Sequence, residues 1–222
     1  MSQVVHQLEV LADPEQVARR AARLVAATAR TAVADRGRFT FAVSGGRTPW
    51  AMFGELASED VPWERISIFQ VDERVAPPGD PDRNLTHLRE SLGDAVTEVV
   101  PMPVNDEDLD QAAGRYDAML PDRFDLVHLG LGPDGHTASL VPGDPVLDIA
   151  DRRVALTREY RGRRRMTLTF PAIDAARLVL WLITGADKSE PLRLLMAGDR
   201  SIPGGRVRAT ASTIFADRAA AG

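Results

Sequence analysis

Residues 126–143 read LVHLGLGPDGHTASLVPG. The first six residues, 126–131, are almost wholly apolar and stop at turn-forming residues, the pattern of a short strand buried on both faces. Gly130 and Gly132 permit close backbone approach, and PDGH turns the chain. One of only four histidines, His136, lands just past the strand, beside Asp134.

Working outward, similar apolar segments occur at 39–43 (FTFAV), 66–71 (ISIFQV), 154–157 (VALT), 166–170 (MTLTF) and 178–183 (LVLWLI). Helical stretches lie between them, near 49–59, 84–92, 106–120 and 187–197. A further helix is expected over 13–36. Asp13 can cap it, Pro14 suits its first turn, Gln16 sits three residues after the cap, and Gly37 stops it. Short apolar strands alternating with helices predict a parallel sheet covered on both faces. The expected fold is therefore α/β, a single doubly wound, mostly parallel, modified Rossmann-like sheet, with residues 1–222 forming one domain. The proline-rich patches APPGDPDRN and VPMPVN are too short to be linkers. In such folds ligands bind beyond the carboxyl ends of the strands.

Composition narrows the function classes. The chain has 222 residues, 44% of them hydrophobic and 27% charged, an ordinary globular balance. There is no cysteine, which removes disulfides, thiolate chemistry and cysteine-ligated zinc. The formal charge of -5 argues against a nucleic-acid-binding surface. No apolar run is long enough to span a membrane, and MSQVVHQLEV lacks the pattern of a signal peptide. A cytoplasmic location is expected, with no obligate protein partner evident.

Three strand ends carry polar clusters. After FTFAV comes SGGRTPW, in which Ser44, Gly45 and Gly46 form an open turn and Thr48 is placed to cap a helix beginning at Pro49. Such a turn suits a phosphate, and equally it suits a plain reversal of the chain. After the second strand comes Asp72-Glu73-Arg74. A triplet of charges is usually a solvated face, but here it emerges where the crevice should be. Asp72 there can orient a catalytic partner or bind hydroxyls, and Arg74 can hold phosphate or carbonyl oxygen. The third end places His136, a group that titrates near neutrality and can act as a general base, at the same crevice. Asp134 and His136 are too few to hold a metal, and no cofactor motif is present. The segment YRGRRRMTLTF adds four arginines before a strand, one or two of them within reach of an anionic substrate. These features together suggest hydrolysis or isomerisation of a small phosphorylated compound.

The motifs SGGRTP, DER, DPDRN, LGLGPDGHTASLVPG, RGRRRMT, GADK and FADRAAA, in that order, resemble the 6-phosphogluconolactonase family over nearly the whole chain. The sister family of glucosamine-6-phosphate deaminases carries a glutamate where this chain has Val141, and DEY where it has DER. The resemblance implies hydrolysis of 6-phospho-D-glucono-1,5-lactone in the oxidative pentose phosphate pathway, without metal or organic cofactor. It further implies a phosphate held by Ser44, Gly45, Gly46 and Thr48 with help from arginines, and His136 as general base. Asp72 or Asp134 would orient the imidazole. The oxyanion would be met by backbone N–H groups of the 130–136 loop or by Arg74. Three departures stand out. Arg47 replaces a serine and can either touch the phosphate or point to solvent, Val141 replaces a common phenylalanine, and RGRRR replaces KPPxR, with Arg161 on the lysine position and Arg165 on the arginine. The alternatives are an amino-sugar phosphate deaminase and a non-catalytic sugar-phosphate sensor.

Overall fold

The computed structural model describes residues 6–93 and 98–222. In chain order, the first half contains β1 (His6–Leu11), α1 (Pro14–Arg36), β2 (Phe39–Val43), α2 (Arg47–Leu56), β3 (Ile66–Gln70), β4 (Asp72–Arg74), α3 (Asn84–Leu92), β5 (Val99–Val100) and α4 (Leu109–Met119). The second half contains β6 (Leu126–Leu129), β7 (Val154–Leu156), β8 (Arg165–Leu168), α5 (Phe170–Asp174), β9 (Val179–Ile183), α6 (Ser189–Met196), β10 (Ser212–Asp217) and α7 (Arg218–Ala221).

Seven strands form one sheet in the order β1-β10-β9-β6-β2-β3-β5, and every pairing in it is parallel. From β2 the chain runs outward through β3 to β5, then returns to the other side of β2 with β6. The strand order therefore reverses between β2 and β6. Helices leave in opposite directions there and open a crevice at the carboxyl ends of the two strands.

Alternation along each strand fills two cores. Phe41, Val43, Ile68, Leu126 and Leu180 pack against α1, α2 and α3. Ala42, Phe69, Val127, Leu129 and Trp181 face the opposite side, where Tyr116 of α4 and Leu192 and Leu195 of α6 cover them. Strands buried on both faces cannot show polar alternation, which is why they read as continuous apolar runs. Helix α1 starts where expected: the Asp13 carboxylate accepts from the Gln16 N–H at 2.7 Å. It stops at Gly37, whose φ of 77° is left-handed.

The central sheet is the expected one, but two of the anticipated strands belong elsewhere. β7 and β8 join β4 in a separate antiparallel sheet, order β4-β8-β7. Its apolar side, Val154, Met166 and Leu168, closes over one core of the main sheet. The triplet Asp72-Glu73-Arg74 is thus itself a strand, pairing with 165–167. Strands β1, β5 and β10 were not anticipated. β1 and β5 are edges, and β1 carries the weak alternating pattern of a half-exposed strand. Among the described residues no helix is long and apolar enough to cross a membrane.

His128 lies within β6, fully buried. Its Nδ1 accepts the Ser44 N–H at 3.3 Å, and burial pushes its pKa down to about 3. The unfolded chain takes up this proton near 6.5 while the folded chain does not. The contribution is therefore intact above the unfolded value. It falls by roughly 1.4 kcal/mol per unit as pH drops from there toward 3. His128→Asn keeps an acceptor for Ser44 and removes the titration. Urea unfolding at pH 7 and pH 4.5 should show a smaller acid loss in the variant; an unchanged loss contradicts this role.

Candidate active site

A cavity of about 220 Å³ opens at the point where the strand order reverses. Ser44 and Gly45, following β2, form one wall, and Gly130–Pro133 with His136, following β6, form the next. Asp72, Arg74 and Asn84 close a third side. Arg161 and Arg165 come from the β7–β8 hairpin and its strand, and Lys188 lies just ahead of α6. Four cationic side chains, Arg74, Arg161, Arg165 and Lys188, face a single lining carboxylate, Asp72. Field lines from one sign of charge concentrate in such a cleft and draw in an anionic ligand.

The third wall is assembled by a residue that does not line the cavity. Glu73 is wholly buried. Its Oε1 accepts from the N–H groups of Arg74 (2.9 Å) and Asn84 (2.8 Å). Its Oε2 accepts from Gln70 Nε2 (2.8 Å), the Leu85 N–H (2.9 Å) and Arg83 Nε (3.4 Å). Helix α3 has no side-chain cap of its own, so Glu73 caps it from the neighbouring strand. The cap sets Asn84, whose Nδ2 donates to the Asp72 carbonyl at 2.9 Å and whose Oδ1 accepts from Arg74 Nη1. A Cβ on Gly45 would lie 2.0 Å from Asn84 Oδ1, so only glycine lets these walls meet.

In the third strand-end loop the His136 Nδ1 donates to Asp134 Oδ1 at 2.5 Å. Asp134 accepts a further bond, from the Tyr160 hydroxyl to Oδ2 at 3.0 Å. Burial works to raise the Asp134 pKa, but the hydrogen bonds and charge of His136, with the Tyr160 hydroxyl, outweigh it and hold the carboxyl below its ordinary value. In the neutral imidazole this contact puts the proton on Nδ1 and leaves Nε2 with a lone pair. A Cβ on Gly132 would sit 2.0 Å from His136 Nδ1 and 2.7 Å from Asp134 Oδ1.

The geometry separates the carboxylates left open by the sequence. Asp134 is in contact with His136, whereas Asp72 Oδ2 accepts from Ser139 Oγ at 2.6 Å and forms part of the opposite wall. The N–H groups of Gly132, Gly135 and His136 are committed within their own loop, to the His136 carbonyl, the Gly132 carbonyl and Asp134. Arg74 instead lines the cavity.

The expected phosphate turn needs correction. Gly46, not Thr48, is the N-cap of α2. This winding turns Arg47 and Thr48 into a second cavity of about 360 Å³, beside Thr184 and Asp187. Thr48 Oγ1 is 2.7 Å from Thr184 Oγ1. The Ser44 N–H is taken by His128, and its hydroxyl donates to the His128 carbonyl at 3.1 Å. Of the turn, Ser44 and Gly45 remain on the cavity wall, whereas Gly46 is placed as the helix cap. Arg165 lines the cavity: it is 7% exposed, and its Nε has no hydrogen-bond partner among the described residues. Asn84 and Lys188 were not on the expected list, although the DPDRN and GADK segments contain them.

Replacing Glu73 by alanine strands several buried donors at once. Denaturant unfolding should show a loss of about 3–5 kcal/mol; a loss below about 1 kcal/mol would contradict its role as the anchor of this wall.

Comparison with known proteins agrees with the fold. The family model for glucosamine-6-phosphate isomerases/6-phosphogluconolactonase matches residues 12–216. A 6-phosphogluconolactonase of Synechocystis is 37% identical over 205 residues, covering 86% of this chain and 85% of the relative. The crystal structure of 6-phosphogluconolactonase from Thermotoga maritima superposes with a TM-score of 0.86 at 26% identity, covering 96% of this chain and 100% of that one. A monomeric glucosamine-6-phosphate deaminase shares the fold at a TM-score of 0.85 and 19% identity, covering 97% and 98%.

Proposed function

This chain belongs to the glucosamine-6-phosphate isomerase/6-phosphogluconolactonase family, and from that premise we infer that it is a lactone hydrolase converting 6-phospho-D-glucono-1,5-lactone to 6-phospho-D-gluconate in the pentose phosphate pathway. The observation that carries the mechanism is His136 on the wall of a cationic cavity, held from behind by Asp134.

In this reading Asp134 holds Nδ1–H, and His136 Nε2 takes a proton from a water whose oxygen attacks C1. Arg74 donates to the oxygen that becomes negative as the carbonyl opens. When the bond from C1 to the ring oxygen breaks, the proton on Nε2 passes to that oxygen and frees the base. Arg161, Arg165, Lys188 and the Gly45 turn hold the phosphate. Asp72, fixed by Ser139 and Asn84, is placed to accept from sugar hydroxyls. The step uses no metal and no organic cofactor. The reading takes the whole chain as one catalytic domain working in the cytoplasm on a small phosphosugar lactone. The deaminase alternative needs a carboxylate at position 141, and Val141 is packed there as a buried apolar residue.

Formation of 6-phosphogluconate from freshly generated lactone should exceed the spontaneous rate. His136→Ala should lower kcat by roughly 10²–10⁴-fold with the fold intact. Near-normal turnover would remove His136 from the mechanism, and no acceleration by the unmodified protein would remove the activity itself. Gly132→Ala, which drives a methyl group into the imidazole, should depress kcat in the same assay and leave product binding nearly unchanged. Full activity in that variant would show that the Asp134–His136 contact is dispensable.

A further inference from the structure

We propose that Tyr160 is a positioning residue for this reaction, its hydroxyl fixing Asp134 against His136 and its ring holding Arg161 and Arg165 toward the cavity. The inference rests on the reading of His136 as the base.

Tyr160 opens a tight reversal. Its N–H donates to the Arg163 carbonyl at 3.0 Å, and the Arg163 N–H returns the bond at 3.3 Å. The two residues between them, Arg161 and Gly162, have φ of 53° and 77°. Paired left-handed residues form the mirror-image turn that suits a hairpin, and asparagine or glycine is the usual first choice at both places. An arginine there is strained, because a side chain with a Cβ disfavours the left-handed region. That turn brings the Arg161 guanidinium back over the Tyr160 ring, 5.1 Å from its centroid. Arg165, two residues beyond the turn and the first of β8, lies over the same ring, also at 5.1 Å. One aromatic face system thus holds two like charges that otherwise repel. Both arginines line the cavity.

The other end of the side chain reaches the acid–base pair. Asp134 has one oxygen on His136 Nδ1 and the other on the Tyr160 hydroxyl, so the carboxylate is held from two sides and cannot rotate away from the imidazole. The His136 ring stands edge-on to the Tyr160 ring, with centroids 5.7 Å apart. A single side chain therefore touches the base, its orienting carboxylate and two of the cations assigned to the phosphate. An anion settling on Arg161 and Arg165 loads the same ring whose hydroxyl sets the base.

The two functions of the side chain separate by substitution. Tyr160→Phe keeps the ring and removes the hydroxyl; Tyr160→Leu removes both. Lactone turnover and affinity for 6-phosphogluconate are measured on folded variants, with thermal melts as the control. Tyr160→Phe should lower kcat about tenfold with KM and product affinity unchanged. Tyr160→Leu should add a several-fold rise in KM. In the Asp134→Asn background, Tyr160→Phe should cause little further loss, because its effect passes through that carboxylate. Parent-like kcat in Tyr160→Phe, or a full tenfold loss persisting beside Asp134→Asn, overturns the assignment. Should the leucine variant not fold, the phenylalanine variant alone decides the hydroxyl's role. Lactonase activity of the unmodified protein in the same assay separates a failure of this inference from a failure of the proposed function.

Discussion

The buried Glu73 carboxylate is the constraint on which one whole side of the site depends. A charge with no exposure is costly, and it persists only when its oxygens are filled with donors. Here they are filled from β3, β4 and the start of α3, so that three elements converge on one group. The consequence is local rigidity where it is needed. Asn84 is set by that convergence, and through Asn84 so are Arg74, Asp72 and the close approach of Gly45. A loop carrying the same three charges would present them in many arrangements; a capped helix against a short strand presents one.

The remaining walls follow a different logic. The reversal of strand order between β2 and β6 creates the crevice, and the β4-β8-β7 sheet roofs it with arginines. Asp72 and Asp134 illustrate how environment divides two chemically identical groups. One is locked into a wall by a serine and an amide, and the other is joined to an imidazole and a phenol. Of the two, it is the second that is hydrogen-bonded to His136.

Much of this was legible in the sequence. Strands β2, β3, β6 and β9 read as apolar runs because both of their faces are buried, and His136 stood out because a strand end in a parallel sheet is where ligands bind. What escaped reading did so for physical reasons. β1 is an edge strand with half its residues in water, and β4 consists of charges, which no periodicity rule assigns to a sheet. The start of α2 was misread by two residues: the helix begins at Arg47 and not at Pro49, and Arg47 and Thr48 line the neighbouring cavity. Glu73 gathers donors from as far as 12 residues away, and the Tyr160 hydroxyl reaches Asp134 26 residues away. Pattern alone shows no such pairing. Asn84 and Lys188 were within reach, since the DPDRN and GADK segments contain them.

The central claim is one of orientation: the phosphate lies among Arg161, Arg165 and Lys188, and C1 lies at His136 Nε2. A crystal structure with 6-phosphogluconate bound tests it most directly. The account predicts the phosphate against those cations and the Gly45 turn, with the C1 carboxylate within hydrogen-bond distance of His136 Nε2 and Arg74. A phosphate seated on His136, or a ligand bound in the neighbouring cavity beside Arg47 and Thr48, would contradict it.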